Sequence, residues 1–157
     1  MIVWGGWNGT ADVQTGGRYT PATNTWSATA MSTTGAPTAR EGHSAVWTGR
    51  EMIVWSGTDG TTTVSTGARY NPVTNAWLGA TTTTSAPVAR WDATAVWTGT
   101  QMIVFGGYTD LVSLNHGQPY QPGVSLSTGS YTGNITLSDP NASNNTQTIA
   151  VTYTVSP

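Results

Sequence analysis

A six-residue string, Met1-Ile2-Val3-Trp4-Gly5-Gly6, returns 51 residues later as Met52-Ile53-Val54-Trp55-Ser56-Gly57, and 50 residues beyond that as Met102-Ile103-Val104-Phe105-Gly106-Gly107. Other landmarks keep the same step. Gly17-Arg18-Tyr19-Thr20-Pro21 recurs as Ala68-Arg69-Tyr70-Asn71-Pro72 and more weakly as Gln118-Pro119-Tyr120-Gln121-Pro122. Ala36-Pro37-Thr38-Ala39-Arg40 recurs as Ala86-Pro87-Val88-Ala89-Arg90, and Ala45-Val46-Trp47-Thr48-Gly49 as Ala95-Val96-Trp97-Thr98-Gly99. A constant period of about fifty residues restricts the chain to stacked copies of one supersecondary unit, because each copy needs a neighbour to bury its apolar face.

The second copy is complete and reads as four strands. Residues 43–48 are short and apolar-rich and end at the tight turn Gly49-Arg50; residues 51–55 return as the second strand of a hairpin. Met52-Ile53-Val54-Trp55 is apolar at every position, without alternation, which predicts a strand covered on both faces. A third strand is expected over 64–70 after a Gly- and Thr-rich loop at 56–62. Asn71-Pro72-Val73-Thr74-Asn75 carries turn residues, and a fourth strand starts near Ala76-Trp77. Four antiparallel strands with doubly covered inner members describe the blade of a β-propeller. Thr, Ser, Gly and Asn dominate the polar residues, and no segment sustains helical apolar spacing.

At these positions the chain resembles the kelch-repeat β-propellers, including the bacterial kelch relatives of the galactose oxidase propeller. The matching elements are the diglycine after the second strand, a Tyr in the third and a Trp seven positions later: Gly5-Gly6, Tyr19 and Trp26, then Ser56-Gly57, Tyr70 and Trp77. Ser56 departs from the diglycine. In the third copy Gly106-Gly107 and Tyr120 are kept, but Ser127 stands where Trp is expected. These residues read first as packing: glycine where a side chain is blocked, aromatics filling the wedge between blades.

Beyond Pro122 the repeat thins. Two alternating runs, centred on Tyr131-Thr132-Gly133-Asn134-Ile135-Thr136-Leu137 and on Ile149-Ala150-Val151-Thr152-Tyr153, flank the turn Asp139-Pro140-Asn141-Ala142-Ser143-Asn144 and predict a β-hairpin. Gly129, Tyr131, Gly133, Ile135 and Leu137, then Gln147, Ile149, Val151, Tyr153 and Val155, resemble the closing strands of bacterial immunoglobulin-like modules such as BACON domains. The expected fold is all-β: a partial kelch-type β-propeller of about two and a half four-stranded antiparallel blades plus the C-terminal β-hairpin. Residues 1–39 form a partial blade without its innermost strand, 40–90 a full blade and 91–122 a partial one, together the kelch repeats 1–122. Residues 123–157 hold the hairpin, which either stands apart or completes the last blade.

Chemistry is sparse in this sequence. There is no cysteine, hence no thiol nucleophile, Cys-based metal site or disulfide, and the copper-radical chemistry of galactose oxidase lacks its cysteine. Only His43 and His116 are histidines; they occupy different points of their repeats and build no shared metal site. His43 aligns with Ala93 and reads as structural; His116 falls in a loop. The seven acids are scattered, with no pair spaced for acid–base work and no nucleophile elbow or phosphate-binding glycine loop. No catalytic residue, metal or cofactor is expected. With five arginines, no lysine and a net charge of −2, nucleic acid is not an expected partner, and no run is apolar enough to span a membrane as a helix.

One face nevertheless gathers unusual residues. In a four-stranded meander, the loop between strands two and three lies on the same side as the connection between blades. The first kind of loop brings Trp7, Asn8, Asp59, Tyr108 and Asp110; the second brings Arg40, Glu41, Arg90, Trp91 and Asp92. Aromatic faces beside hydrogen-bonding groups suit a carbohydrate or protein ligand. The other reading is that Arg40 and Arg90 brace the blade junctions, paired with Glu41 and Asp92. The expected function is a non-enzymatic binding or scaffold module, with the extracellular or cell-surface setting in a bacterium implied by the family resemblance. The alternatives are a fragment of a larger kelch-type enzyme whose catalytic residues lie elsewhere, and a self-associating structural element whose open blades are completed by other copies or by further blades.

Overall fold

The structure of the chain, a computed structural model, describes residues 1–123 in full and the strand backbone of Gly129–Ser138 and Thr146–Val155. Contacts divide the chain into two compact units, Met1–Ser125 and Leu126–Pro157.

The first unit holds three antiparallel sheets, one per repeat. The first is β1 (Ile2–Trp4), β2 (Gly16–Thr20) and β3 (Thr25–Trp26), in that order. The second is complete: β4 (Ser44–Trp47), β5 (Met52–Trp55), β6 (Gly67–Asn71) and β7 (Ala76–Ala80). The third is β8 (Thr94–Trp97), β9 (Met102–Phe105) and β10 (Gly117–Tyr120). In the first blade β1 is the equivalent of β5, and among the described residues no strand pairs with its other edge. The third strand of the complete blade begins at Gly67 rather than Val64, because the Val64 amide is drawn into the loop by the Gly57 carbonyl at 2.9 Å.

The apolar run of β5 is buried at all four positions. Successive strand side chains point to opposite faces, so the run serves two cores. Met52 and Val54 join Trp4, Met31, Ala68, Tyr70 and Trp77 between the first and second sheets. Ile53 and Trp55 join Val46, Met102, Val104 and Tyr120 between the second and third. Complete burial of such a side chain is worth about 1.5–3 kcal/mol, so this four-residue strand is the main anchor of both seams. In the equivalent strand β9, Met102 and Val104 are buried, while Ile103 and Phe105 have no such cover among the described residues.

Aromatic packing repeats with the sequence. Trp77 leans on Tyr70 at 5.2 Å between ring centroids and 54°, and Trp26 on Tyr19 at 5.2 Å and 53°. Tyr70 and Tyr19 each donate a 2.7 Å hydrogen bond, to Asn75 and Asn24, which sit in left-handed turn conformations. The two fourth-strand tryptophans differ in one respect: the Trp77 indole donates to the Ser32 carbonyl at 2.8 Å and is buried, whereas Trp26 is exposed.

In the second unit, β11 (Gly129–Ser138) pairs antiparallel with β12 (Thr146–Val155) over ten residues, with Tyr131 opposite Tyr153 and Ile135 opposite Ile149. The two strands of the expected hairpin are therefore present. The predicted turn at 139–144 and Ser127 lie outside the described residues.

Candidate functional site

The loops between second and third strands share one side of the blades with the inter-blade connections. The Gly6 amide donates to the Arg40 carbonyl at 2.8 Å and the Gly57 amide to the Arg90 carbonyl at 3.0 Å. Glu41 pairs with Thr58, and Trp91 with Tyr108, as isolated antiparallel bridges. The residues expected on this face divide into scaffold and surface.

Arg40 and Arg90 belong to the scaffold. Each is only 1% exposed. The expected pairing with Glu41 and Asp92 is corrected by the geometry: both guanidiniums clip backbone carbonyls instead. Arg40 donates to the Thr38 carbonyl at 3.0 Å, the Ser56 carbonyl at 2.9 Å and the Thr66 carbonyl at 2.7 Å, and to the Thr38 and Thr66 hydroxyls. Arg90 repeats this on the Val88, Gly106 and His116 carbonyls at 3.0, 3.1 and 3.3 Å. Ser56 and Thr66 are the two ends of one loop; Gly106 and His116 are the two ends of the next. Each arginine therefore ties the stem of the loop in its own blade, using the planar fork that suits several acceptors at once. Burial lowers the basicity of both groups, and nearby Asp59 partly offsets this for Arg40. Val88 and His116 replace Thr38 and Thr66, so the Arg90 Nη2 lacks the hydroxyl partners that Arg40 has.

Asn8 and Asp59 are also structural. Asn8 Oδ1 accepts from the Thr10 and Ala11 amides at 2.9 and 3.0 Å, and Asp59 Oδ1 from the Thr61 and Thr62 amides at 3.1 and 3.0 Å. Thr109 Oγ1 takes the same place in the third blade, accepting from the Leu111 and Val112 amides at 3.2 and 3.1 Å. These are side-chain-capped turns. The Thr62 and Thr61 amides hold the Asp59 carboxyl below its usual range. Asp110 accepts from the Thr63 amide at 3.2 Å and from its hydroxyl, joining the third-blade loop to the second.

The same fifty-residue unit, folded as consecutive antiparallel sheets with the glycine pair at the second strand's end, also decides the family. A family model described as the KLHDC2/KLHL20/DRC7 Kelch-repeats domain matches residues 1–148. The chain belongs to the kelch-repeat family. No curated protein matches it.

The kelch glycine pair has a visible purpose here. A Cβ on Gly5 would lie 2.9 Å from His43 Cε1, and one on Gly57 would lie 2.9 Å from His43 Cα. Both glycines also have positive φ, 67° and 91°. His43 thus fills the seam between two kelch blades, edge-on to Trp4 at 5.3 Å. Burial and then the charge of Arg40 bring its imidazole down to about 4. One repeat on, Ala93 replaces His43, and the vacated space admits Ser56 in place of glycine at a φ of 64°. The Ser56 hydroxyl donates to the Val64 carbonyl at 2.7 Å and accepts from the Arg90 amide at 2.8 Å.

The surface residues of this face lie on the first and third kelch blades, and on the third they include an aromatic pair. Trp91 and Tyr108 pack at 5.2 Å between ring centroids and 35°, with Tyr108 46% exposed. Beside them, Leu111 is 92% and Val112 58% exposed. Sequence reasoning missed these two. Thr10-Ala11 and Thr61-Thr62 hold the same hydrogen-bonded turn positions in the other kelch blades. Trp7 is exposed and Glu41 half-buried, but Trp7 and Asn8 make their contacts within the first blade's loop, through Asp12, Thr10 and Ala11. Asp92 is exposed at a φ of 53°, its amide bonded to the Gly42 carbonyl at 2.8 Å. Among the described residues, no cluster of three or more His, Cys, Asp or Glu side chains is placed to hold a metal ion. A cleft of about 520 Å³ opens elsewhere, between the first and second blades, and is lined by Ile2, Val46, Trp47 and Met52.

Proposed function

We propose that this kelch domain is a non-enzymatic binding module that takes a protein partner on the loop face of its third blade, through Trp91, Tyr108, Leu111 and Val112. Membership of the kelch family supports a protein-binding or scaffold role in general. The observation that carries the specific site is the exposed pair Leu111-Val112 where sister loops carry Thr and Ala. An apolar tip next to an aromatic pair supplies the desolvated centre on which protein interfaces depend, with Asp110 and Asp92 as a polar rim. A sugar ligand fits less well, since stacking sites for sugars need flanking hydrogen-bond groups and the tip offers methyl groups. The extracellular or cell-surface bacterial setting we propose rests on the resemblance to bacterial kelch modules.

A phage-displayed peptide library and a glycan array, both screened with the intact chain and with the double variant Leu111→Thr, Val112→Thr, test the reading. Peptides that bind the intact chain and lose at least tenfold on the variant are the expected result. Peptides indifferent to the variant overturn the site. Binding confined to glycans and abolished by Trp91→Ala replaces the protein partner with a carbohydrate.

A further inference from the structure

The two outer faces of the kelch blades are the two halves of an interface that this chain already forms twice. On the first blade, the register places Met1, Val3, Tyr19 and Trp26 on the face opposite to Ile2 and Trp4, with Met1 and Tyr19 also bordering the cleft shared with the second blade. Their repeat equivalents are Met52, Val54, Tyr70 and Trp77, the residues with which the second blade receives Ile2 and Trp4 of the first. On the third blade, the strand register places Val96 and Ile103 on one side of the sheet with Phe105, opposite to Met102 and Val104. Their equivalents are Val46, Ile53 and Trp55, the residues with which the second blade meets the third. One end of the stack therefore presents the receiving half and the other the inserted half.

Both ends are exposed and apolar. Val3 is 48%, Trp26 54%, Val96 53%, Ile103 38% and Phe105 57% exposed, and none of the residues named on either face is charged. The receiving half is moreover already arranged for a partner. Tyr19 and Trp26 hold the ring geometry of Tyr70 and Trp77, and Tyr19 makes the same 2.7 Å bond to its asparagine, with Trp26 54% exposed. Preorganisation of this kind lowers the cost of association.

We infer that the occupant is a second copy of this chain, docked head to tail, with the Ile103–Phe105 face of one copy against the Val3–Trp26 face of the next. The two faces differ, so the contact is heterologous: it propagates unless the rotation closes on itself. Two copies supply six blades, inside the range of about four to eight over which propellers close. This inference is independent of the loop face.

Light scattering on the full chain across a dilution series, with Phe105→Glu, Trp26→Glu and a one-to-one mixture of the two variants, tests it. Each substituted position is exposed, and circular dichroism checks that the fold survives. The expected result is a discrete wild-type oligomer, two monomeric variants, and recovery of a one-to-one dimer on mixing, because each variant retains the half the other has lost. Two results overturn the inference. A wild-type chain that stays monomeric up to its solubility limit leaves the faces to further blades of a longer chain. A variant that still dimerises on its own shows a like-with-like contact through its unsubstituted face instead.

Discussion

The exchange between positions 5 and 43 on one seam and 56 and 93 on the next is a coupling that a double-mutant cycle can measure. Seen from Gly5, the seam has no room for a side chain, because a Cβ there meets His43 Cε1 at 2.9 Å and the Arg40 carbonyl at 3.1 Å. Ala93→His moves that histidine to the second seam, where the Ser56 hydroxyl already stands between the Val64 carbonyl and the Arg90 amide. Overpacking a filled site costs about 1–3 kcal/mol, and displacing the serine from its two hydrogen bonds adds about 1 kcal/mol each. Ala93→His alone should therefore destabilise by about 3–5 kcal/mol. Ser56→Gly alone loses the bonds but relieves a non-glycine residue at positive φ, worth about 1–2 kcal/mol, and should cost about 1 kcal/mol or less. The double variant rebuilds the first seam's arrangement, so the pair should be more stable than the sum of the singles by at least about 1 kcal/mol. Urea unfolding followed by tryptophan fluorescence reads all four proteins. Additivity within about 0.5 kcal/mol, the usual behaviour of independent sites, would refute the steric account of the serine.

Three further outcomes are expected. With its imidazole at about 4 against an ordinary 6.5, His43 takes up a proton more readily in the unfolded chain; stability is full above pH 6.5, falls as pH drops through the window to about 4, and His43→Ala should flatten a loss of at most about 3 kcal/mol in a pH series of melts. Val88→Thr restores to Arg90 the hydroxyl that Arg40 receives from Thr38 and should raise stability by about 0.5–1.5 kcal/mol in urea titration; no gain would mean that solvent already serves Nη2. Tyr70→Phe should cost about 1 kcal/mol and Tyr19→Phe only a few tenths, since the same bond to asparagine is buried in one blade and open in the other, and equal losses by thermal melting would contradict that distinction.

The architecture was legible because its determinants are local and repeated. An unbroken apolar run such as Met52 to Trp55 has one physical solution in a sheet, cover on both faces, and the structure divides it between two cores. The loop face was legible from topology. The role of Arg40 and Arg90 was not: acidic neighbours one and two positions on suggested ion pairs, but the actual acceptors are main-chain carbonyls, which no residue letter encodes. The chain direction also matters, since adjacent residues in extended backbone point to opposite sides. Leu111 and Val112 escaped notice for a different reason. Two apolar residues in a loop carry no signal by themselves, and only comparison with the tips of the sister loops makes them exceptional.

The arginine clips have a consequence for variation. Because each holds its loop by carbonyls at the two ends of the stem, the anchor is indifferent to the letters between them. The two clipped tips can then diverge without any compensating change in the framework, and they differ, Thr61-Thr62 in one and Leu111-Val112 in the other. The tip Thr61-Thr62 is accordingly a replaceable dipeptide, exchangeable for other side chains while Asp59 keeps the turn and Arg40 its grip on Ser56 and Thr66.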